Sequence, residues 1–267
     1  MKLNKLTEQE VNDIIKKDGL DLSTFEIQTT LEPNIFDKDE YMYPEIRNRL
    51  LMIADDFFES LNIGWVDISD IILTGSLANY NWSKYSDVDL HILLNFEEVD
   101  ENVELVKEYF DSKKSLWNEQ HDITIKGYDV ELYVQDSTEP HISSGVYSVL
   151  WDGWVVQPDK ASREIDTEKV KQKVNGIITS INGIYRMYKS GEYDKTIRMI
   201  DNLKEKIKKM RQSGLEREGE YSFENIAFKV LRRTGYLGKL FDMKNKSYDK
   251  SLTLKEFFKL KKRNNLK

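Results

Sequence analysis

The sequence has 267 residues and a net charge of −7 at neutral pH, and 39% of its residues are apolar, which favours a folded globular protein over a disordered chain. It has no cysteine and only three histidines, so a disulfide framework is excluded and a zinc enzyme is disfavoured. No apolar run could cross a bilayer and no signal-peptide core follows the N-terminus, so we expect a soluble, cytoplasmic protein.

Two helices are predicted before the first strand. Thr7 and Glu10 form a capping box, which predicts a first helix that ends near Gly19. Apolar residues at steps of three and four predict a stronger second helix over residues 44–61. One face of this second helix is therefore expected to lie in the core.

The next part of the chain predicts strands with one helix between them. A β-branched run predicts a strand over residues 71–74, and the apolar segment 87–94 predicts a second, buried strand. Spaced valines and a phenylalanine predict a helix over residues 99–110. Residues 123–125 and 128–134 predict two more strands joined by a tight turn.

From about residue 168 the pattern is helical only. Three apolar stripes predict helices over residues 170–184, 197–210 and 223–241, and Thr253 with Glu256 can cap a last short helix. We therefore predict an α/β (α+β) core with a mixed sheet over residues 1–160, followed by an α-helical bundle domain over residues 161–267.

Charge is divided unevenly between the two ends of the chain. Residues 195–267 carry 21 Lys and Arg against 9 Asp and Glu, whereas residues 1–194 carry 19 against 38. An acidic front half suits divalent cations or a cationic substrate, and a basic back half suits phosphate or nucleic acid. Lysine-rich surface helices give the same pattern without any such function, so both interpretations stay open.

One segment carries the residues that phosphate chemistry needs. The strand 71–74 runs into Gly75 and Ser76, and ten residues separate Ser76 from Asp87. Asp87 and Asp89 are two apart on a predicted strand, so their carboxylates share one face. That pairing is costly unless a cation neutralises it, and Mg²⁺ suits oxygen ligands and phosphate. Gly75 lets the backbone approach a phosphate, and Ser76 offers a hydroxyl and an amide at a helix start.

This segment resembles the hallmark of the DNA polymerase β-type nucleotidyltransferase superfamily: a hydrophobic strand, Gly-Ser, about ten residues, then Asp-x-Asp in a second hydrophobic strand. Ser86, just before the first aspartate, strengthens the likeness. The chain is also similar to predicted nucleotidyltransferases encoded by bacterial viruses. The superfamily uses a third carboxylate on a later strand, for which Glu131 is the best candidate and Asp129 the alternative.

The resemblance implies a two-metal mechanism. Asp87 and Asp89 would bridge two Mg²⁺ ions, and Glu131 would complete one metal site and assist deprotonation of the attacking hydroxyl. Gly75 and Ser76 would hold the β- and γ-phosphates of an NTP. A nucleoside monophosphate would pass to an acceptor hydroxyl and pyrophosphate would leave, in a cleft expected between the two domains.

The acceptor is the open question, because one catalytic core can serve many substrates. We favour an RNA 3′ end, such as that of tRNA, because the back half is basic. The acidic front half suits the alternative of a small aminoglycoside-like molecule or a protein hydroxyl. A third interpretation is a catalytically silent module that binds nucleotide or RNA.

Other side chains give weaker indications. Aromatic residues in the loop before Asp87 could stack on a base but more often pack the loop, and His91 is expected to be packed rather than a metal ligand. The segment 141–147 could touch ribose or phosphate, or form an ordinary turn. The remaining candidates are the loop aromatics Tyr80, Trp82 and Tyr85, the core or turn residues Trp151 and Trp154, and the basic residues Lys229, Arg232 and Arg233.

Overall fold

The computed structural model describes residues 27–141, 143–160 and 165–253. These residues form two compact units, and the division between them falls after Ile165. The helices predicted near Thr7 and after Thr253 lie outside the described residues. No helix in the described ranges is both long and apolar enough to cross a membrane.

Helix α1 spans Pro44–Ser60, close to its prediction. Proline suits the first turn because it has no N–H to leave unpaired, and Glu45 complements the positive end of the helix. The predicted apolar face is buried, with Leu50 and Phe57 almost fully covered. The burial of this one face attaches α1 to the sheet.

The first unit is built on a six-stranded mixed sheet with the order β3-β4-β2-β1-β5-β6. Strands β2 and β4 are parallel, and every other neighbouring pair is antiparallel. A mixed sheet followed by helices was predicted, and this is confirmed. The strands are β1 Ile68–Thr74, β2 Val88–Leu94, β3 Thr124–Ile125, β4 Tyr128–Asp136, β5 Val146–Ser148 and β6 Gly153–Val156; helices α2 Phe96–Val99 and α3 Val103–Gln120 follow β2.

The two faces of the sheet differ in chemistry. On one face, alternate residues such as Leu73, Leu90 and Leu132 join the main core with the buried sides of α1 and α3. On the opposite face, apolar burial is limited to a small cluster that includes Ile72 and Leu93. Since strand side chains alternate, that second face also carries the polar residues of β1, β2 and β4.

Helices make up the second unit, as predicted. Asp166 caps α4 by accepting a hydrogen bond from the Lys169 amide, and Ser222 caps α6 in the same way through the Asn225 amide. The elements are α4 Thr167–Lys189, α5 Tyr193–Glu218, a 3₁₀ turn Gly219–Tyr221, α6 Phe223–Arg233 and α7 Tyr236–Leu252.

Two predictions about elements were wrong in detail, and two short strands were missed. The stripe over residues 223–241 is two helices, because Gly235 has a φ of 75° and ends the α-helical path. The helix predicted over 99–110 is divided into α2 and α3 by residues 100–102. Strands β5 and β6 were not predicted; at three and four residues they are too short to show an alternating pattern.

Candidate active site

The Gly75–Ser76 turn follows the end of β1. Gly75 has a φ of 76°, in the left-handed region that glycine tolerates and other residues avoid. Residues 75–78 form turns and no α-helix starts at Ser76, so the prediction of an amide at a helix N-terminus was wrong. The Asn79 amide donates to the Ser76 carbonyl at 3.2 Å, which closes a turn that no α-helix continues.

Gly75 also makes room for Asp89. Thr74 and Asp89 are register partners across β1 and β2. A Cβ atom at position 75 would collide with the Asp89 carboxylate. The absence of a side chain at Gly75 therefore lets the Asp89 carboxylate lie directly against the turn.

Ser76 is linked to the start of the aspartate pair through a second serine. The Ser76 hydroxyl donates to Ser86 Oγ over 2.8 Å, and Ser86 Oγ also accepts from the Ser83 amide at 3.0 Å. Ser86 is buried and immediately precedes Asp87. Asp87 lies just before β2 rather than within it. The turn and the loop thus hold each other in place at the end of the sheet where Asp87 lies.

The third predicted carboxylate lies beside the second. Asp89 and Glu131 are register partners on the parallel strands β2 and β4, so their side chains project from the same face. Asp129, the alternative, pairs with Thr124 of β3. Both Asp89 and Glu131 are half-buried. The sheet therefore brings together two of the three predicted acids, and Asp87 precedes Asp89 by two residues.

Further along this face, Glu131 is connected to a set of polar side chains. Tyr133 donates its hydroxyl to Glu131 Oε2 over 2.6 Å, and its ring stacks on His91 with centroids 4.7 Å apart. The His91 ring is hydrogen-bonded to Thr74 Oγ1 at 3.2 Å and to Gln135 Oε1 at 3.1 Å. Burial lowers the pKa of His91 to about 4, so this histidine is neutral at physiological pH.

Oxygen donors of this kind fit Mg²⁺, which prefers carboxylates and keeps positions open for phosphate. In the part of the chain that the structure describes, however, no group of three or more Asp, Glu or His side chains is gathered closely enough to enclose a cation. Glu131 instead accepts the hydrogen bond from Tyr133. The ligand types and the shared face fit the ion, and the magnesium site stays a prediction.

A cavity of about 340 Å³ opens on the same face of the sheet. Its sheet side is formed by residues that follow the acids along β2 and β4, and its outer side by basic residues of α3 and by the segment after β4. Lys107 is paired with Glu139 at 2.9 Å, and Lys114 lies over the Tyr133 ring at 4.6 Å. Lining residues include Thr74, His91, Tyr133, Gln135, Lys107, Lys114, Glu139, His141 and Ser143.

Most of the aromatic side chains in the loop before Asp87 pack against the protein. Tyr80 is 2% exposed, and the Trp82 indole donates to the Thr30 carbonyl over 2.8 Å. Tyr85 differs, because it is 42% exposed. Tyr80 and Trp82 therefore fix the loop before Asp87, and Tyr85 is the exposed ring of the three.

Residues 143–147 contact the chain that follows Ser76. Asn79 donates its side-chain amide to Ser144 Oγ. A Cβ atom at Gly145 would collide with the Ala78 carbonyl, so the two backbones approach closely there. These residues thus pack against Ala78 and Asn79, close to the turn.

The remaining candidates belong to other elements. Trp154 stacks on Phe36 at 5.3 Å within the core, whereas Trp151 is 73% exposed. The three basic candidates are all in α6 of the second unit: Lys229, Arg232 and Arg233.

Sequence reasoning missed the link from Glu131 to its neighbours. Tyr133 and Gln135 alternate with Glu131 in the sequence, so the strand period alone would have placed them on its face. The hydrogen bonds to His91 could not be predicted, because they depend on the register between β2 and β4, which no local sequence pattern reveals.

Comparison with known proteins agrees with this geometry. Residues 54–148 match a family model described as "Nucleotidyltransferase domain". No curated protein and no solved structure matches the chain. The matched range contains the turn and all the predicted acids: Gly75, Ser76, Asp87, Asp89, Asp129 and Glu131. Residues 54–148 therefore match a nucleotidyltransferase domain, and this match is consistent with the polymerase β-type superfamily.

Proposed function

We propose that this protein transfers a nucleoside monophosphate from an NTP to a hydroxyl of an RNA 3′ end, such as that of tRNA, with Mg²⁺ as its cofactor. One observation carries the proposal: the register pairing of Asp89 with Glu131 on parallel strands, with Asp89 lying against Gly75. The catalytic domain would be residues 1–160 and the helical domain residues 161–267.

Each residue of the site has a role in this proposal. Asp87, Asp89 and Glu131 would hold two Mg²⁺ ions, and the bound cations would neutralise charge on the oxygens that enter and leave the α-phosphate. Glu131 would accept the proton of the acceptor hydroxyl. Gly75 and Ser76 would hold the β- and γ-phosphates, since a turn without a side chain at position 75 leaves its backbone approachable.

The acceptor is proposed from charge. Residues 166–253, the described helical unit, carry 20 Lys and Arg against 12 Asp and Glu. A net positive surface of this size attracts polyanions and weakens its hold on them as salt rises. RNA is the polyanion that also offers a 3′ hydroxyl to a nucleotidyltransferase.

A second acceptor class is supported by the cavity beside the acids. At about 340 Å³ it is within the usual range of small-molecule sites, and it opens on the face that carries Asp89 and Glu131. A small hydroxylated compound, including an aminoglycoside-like cation, is therefore the alternative acceptor.

Radiolabel transfer tests the proposal. The purified protein is incubated with Mg²⁺, total cellular RNA and each α-³²P-labelled NTP in turn. Label in RNA is expected with the wild-type chain and not with the Asp87→Asn/Asp89→Asn double variant. An Asp55→Asn/Asp56→Asn variant of two exposed acids in α1 is the matched control and should retain activity.

The outcomes separate the candidates. Label in RNA that depends on Asp87 and Asp89 supports the RNA acceptor. Label that enters an added aminoglycoside and not RNA supports the small-molecule acceptor instead. No label in any acceptor, despite measurable NTP binding, would favour the silent module and contradict the proposed reaction.

A further inference from the structure

The helical unit contains a groove of about 430 Å³ between α4, α5 and the first turn of α6. Its floor is apolar and its rim is basic. We call it the lysine groove, and define it by Lys169, Lys173, Ile177, Lys206, Met210 and Phe223. It belongs to the second unit, and the proposed transfer reaction leaves it without a role.

Charge in the lysine groove is of one sign. Among the described residues that line it there are three lysines and no Asp or Glu. The ammonium groups of Lys169 and Lys173 lie 5.8 Å and 5.7 Å from the Phe223 ring centroid. Lys169 is also paired with Asp166 at 2.9 Å, outside the lining. The groove is therefore complementary to an anion.

Gly176 keeps the groove open. It lies inside the 23-residue helix α4, where glycine costs about 1 kcal/mol relative to alanine. A Cβ atom there would meet no atom within 4 Å, and Gly176 is one of the lining residues. A longer side chain at this position would therefore enter the groove without disturbing the packing of the helix.

We propose that the lysine groove binds single-stranded RNA and so docks the acceptor; this inference rests on the proposed RNA acceptor. Proteins that bind single strands combine cations that contact phosphates with aromatic and apolar surfaces that contact bases. Lys173 and Lys206 supply the first kind of contact, and Phe223 with the aliphatic floor supplies the second. An acidic peptide would use the lysines and leave the aromatic ring without a planar partner.

Binding of a fluorescent single-stranded RNA oligonucleotide, followed by anisotropy across a salt series and without NTP, tests the proposal. Two changes address the groove: Lys173→Gln/Lys206→Gln removes two charges, and Gly176→Leu fills the space while it keeps every charge. Lys208→Gln/Lys209→Gln removes two exposed charges outside the groove and is the matched control.

We expect the groove double variant to bind RNA about tenfold more weakly near 0.1 M salt, with the slope of log affinity against log salt reduced by about 1.4. Gly176→Leu should weaken binding by at least about fivefold, the lower end of the effect of one lost base contact. The control pair should change affinity clearly less than the groove pair.

Three results would overturn the proposal. The first is an equal loss of RNA affinity in the groove pair and the control pair, and the second is unchanged RNA affinity in Gly176→Leu. The third is a poly-glutamate peptide that binds the groove more tightly than RNA does. Binding is measured without NTP, so the test is independent of catalysis. If RNA binds in the groove but no label is transferred to it, only the proposed function is contradicted. If Gly176→Leu keeps both label transfer and RNA affinity, only this inference is contradicted.

Discussion

Tyr133 donates its hydroxyl to Glu131 Oε2 over 2.6 Å, and the two residues lie two positions apart on the same face of β4. The Tyr133 ring is held in turn by the stacked His91 ring and by Lys114, whose ammonium lies 4.6 Å from the ring centroid. Because His91 and Lys114 both contact its ring, Tyr133 fixes the orientation of the Glu131 carboxylate, which faces Asp89 across the two strands.

The Tyr133→Phe variant keeps the ring and removes the donor. Groups that orient a metal-binding carboxylate typically contribute 10- to 100-fold to metal affinity or activity, so we expect a loss of about that size in both. Calorimetric Mn²⁺ binding and the rate of label transfer measure the two effects. The free energy of unfolding should fall by only about 1 kcal/mol, the usual contribution of one hydrogen bond.

Tyr109→Phe is the control for this change, since the Tyr109 hydroxyl also makes one hydrogen bond, to the Leu61 carbonyl at 2.8 Å. Tyr109→Phe should lose about as much stability as Tyr133→Phe but should keep its affinity for Mn²⁺. If the two variants were alike in Mn²⁺ binding and rate, Tyr133 would be a structural residue only.

The part of the site that could be predicted from sequence is the part set by spacing along one strand. The spacing from Ser76 to Asp87 and the apolar setting of Glu131 predicted a turn after one strand and acids on two others; in the structure Gly75 follows β1 and Asp89 pairs with Glu131, whereas Asp87 lies just before β2. The network around Tyr133 could not be predicted, because it depends on which residue of β4 faces His91. Register of this kind is set by contacts between distant segments of the chain.

The same limit explains the errors in secondary structure. The 3.6-residue period of the stripe 223–241 continued through Gly235, so the pattern hid the break that a positive φ introduces. The turn after Gly75 was predicted as the start of a helix because its composition allows one, but residues 75–78 form turns and the chain continues into the loop before Asp87.

Gly75→Ala should reduce both stability and activity. Alanine pays a penalty of about 1–2 kcal/mol at a left-handed φ, and its Cβ would collide with the Asp89 carboxylate. We expect the free energy of unfolding in urea to fall by about 2–4 kcal/mol, and label transfer to fall because Asp89 must move.

Gly64→Ala is the control for position 75, since a Cβ there meets nothing within 4 Å. It should change stability by no more than about 0.5 kcal/mol. Similar losses of unfolding free energy in both variants would show that contact with Asp89 does not explain the requirement for glycine at position 75.

Two glycines inside helices should respond to alanine with opposite signs. At Gly214 of α5, a Cβ would lie 2.7 Å from Ser222 Oγ and 2.8 Å from Glu224 Cβ, so Gly214→Ala should destabilise the protein by about 1–2 kcal/mol. At Gly183 of α4 the same Cβ meets open space, and Gly183→Ala should stabilise by about 0.5–1 kcal/mol. Urea unfolding of both variants measures the signs, and a stabilised Gly214→Ala would contradict the close approach of α5 to the start of α6.

Stability at alkaline pH should depend on Tyr147. This ring is 0% exposed, and its hydroxyl donates to Asp152 Oδ1 over 2.8 Å. Burial raises the pKa of Tyr147 to about 12, against about 10 in an unfolded chain. Because the folded state favours the neutral phenol, this contribution to stability is complete below pH 10 and is lost as the pH rises to 12.

The loss at Tyr147 would reach about 3 kcal/mol, and burial raises the pKa of Tyr128 to about 12 as well, so a second tyrosine adds to the same slope. Urea unfolding between pH 9 and pH 12 measures the slope. Tyr147→Phe should make it shallower, and Tyr85→Phe, which removes the hydroxyl of a ring that is 42% exposed, is the control and should leave it unchanged. An unaltered slope in Tyr147→Phe would mean that the folded protein accommodates the phenolate, and that burial at the junction of β1, β5 and the segment before α1 does not penalise charge.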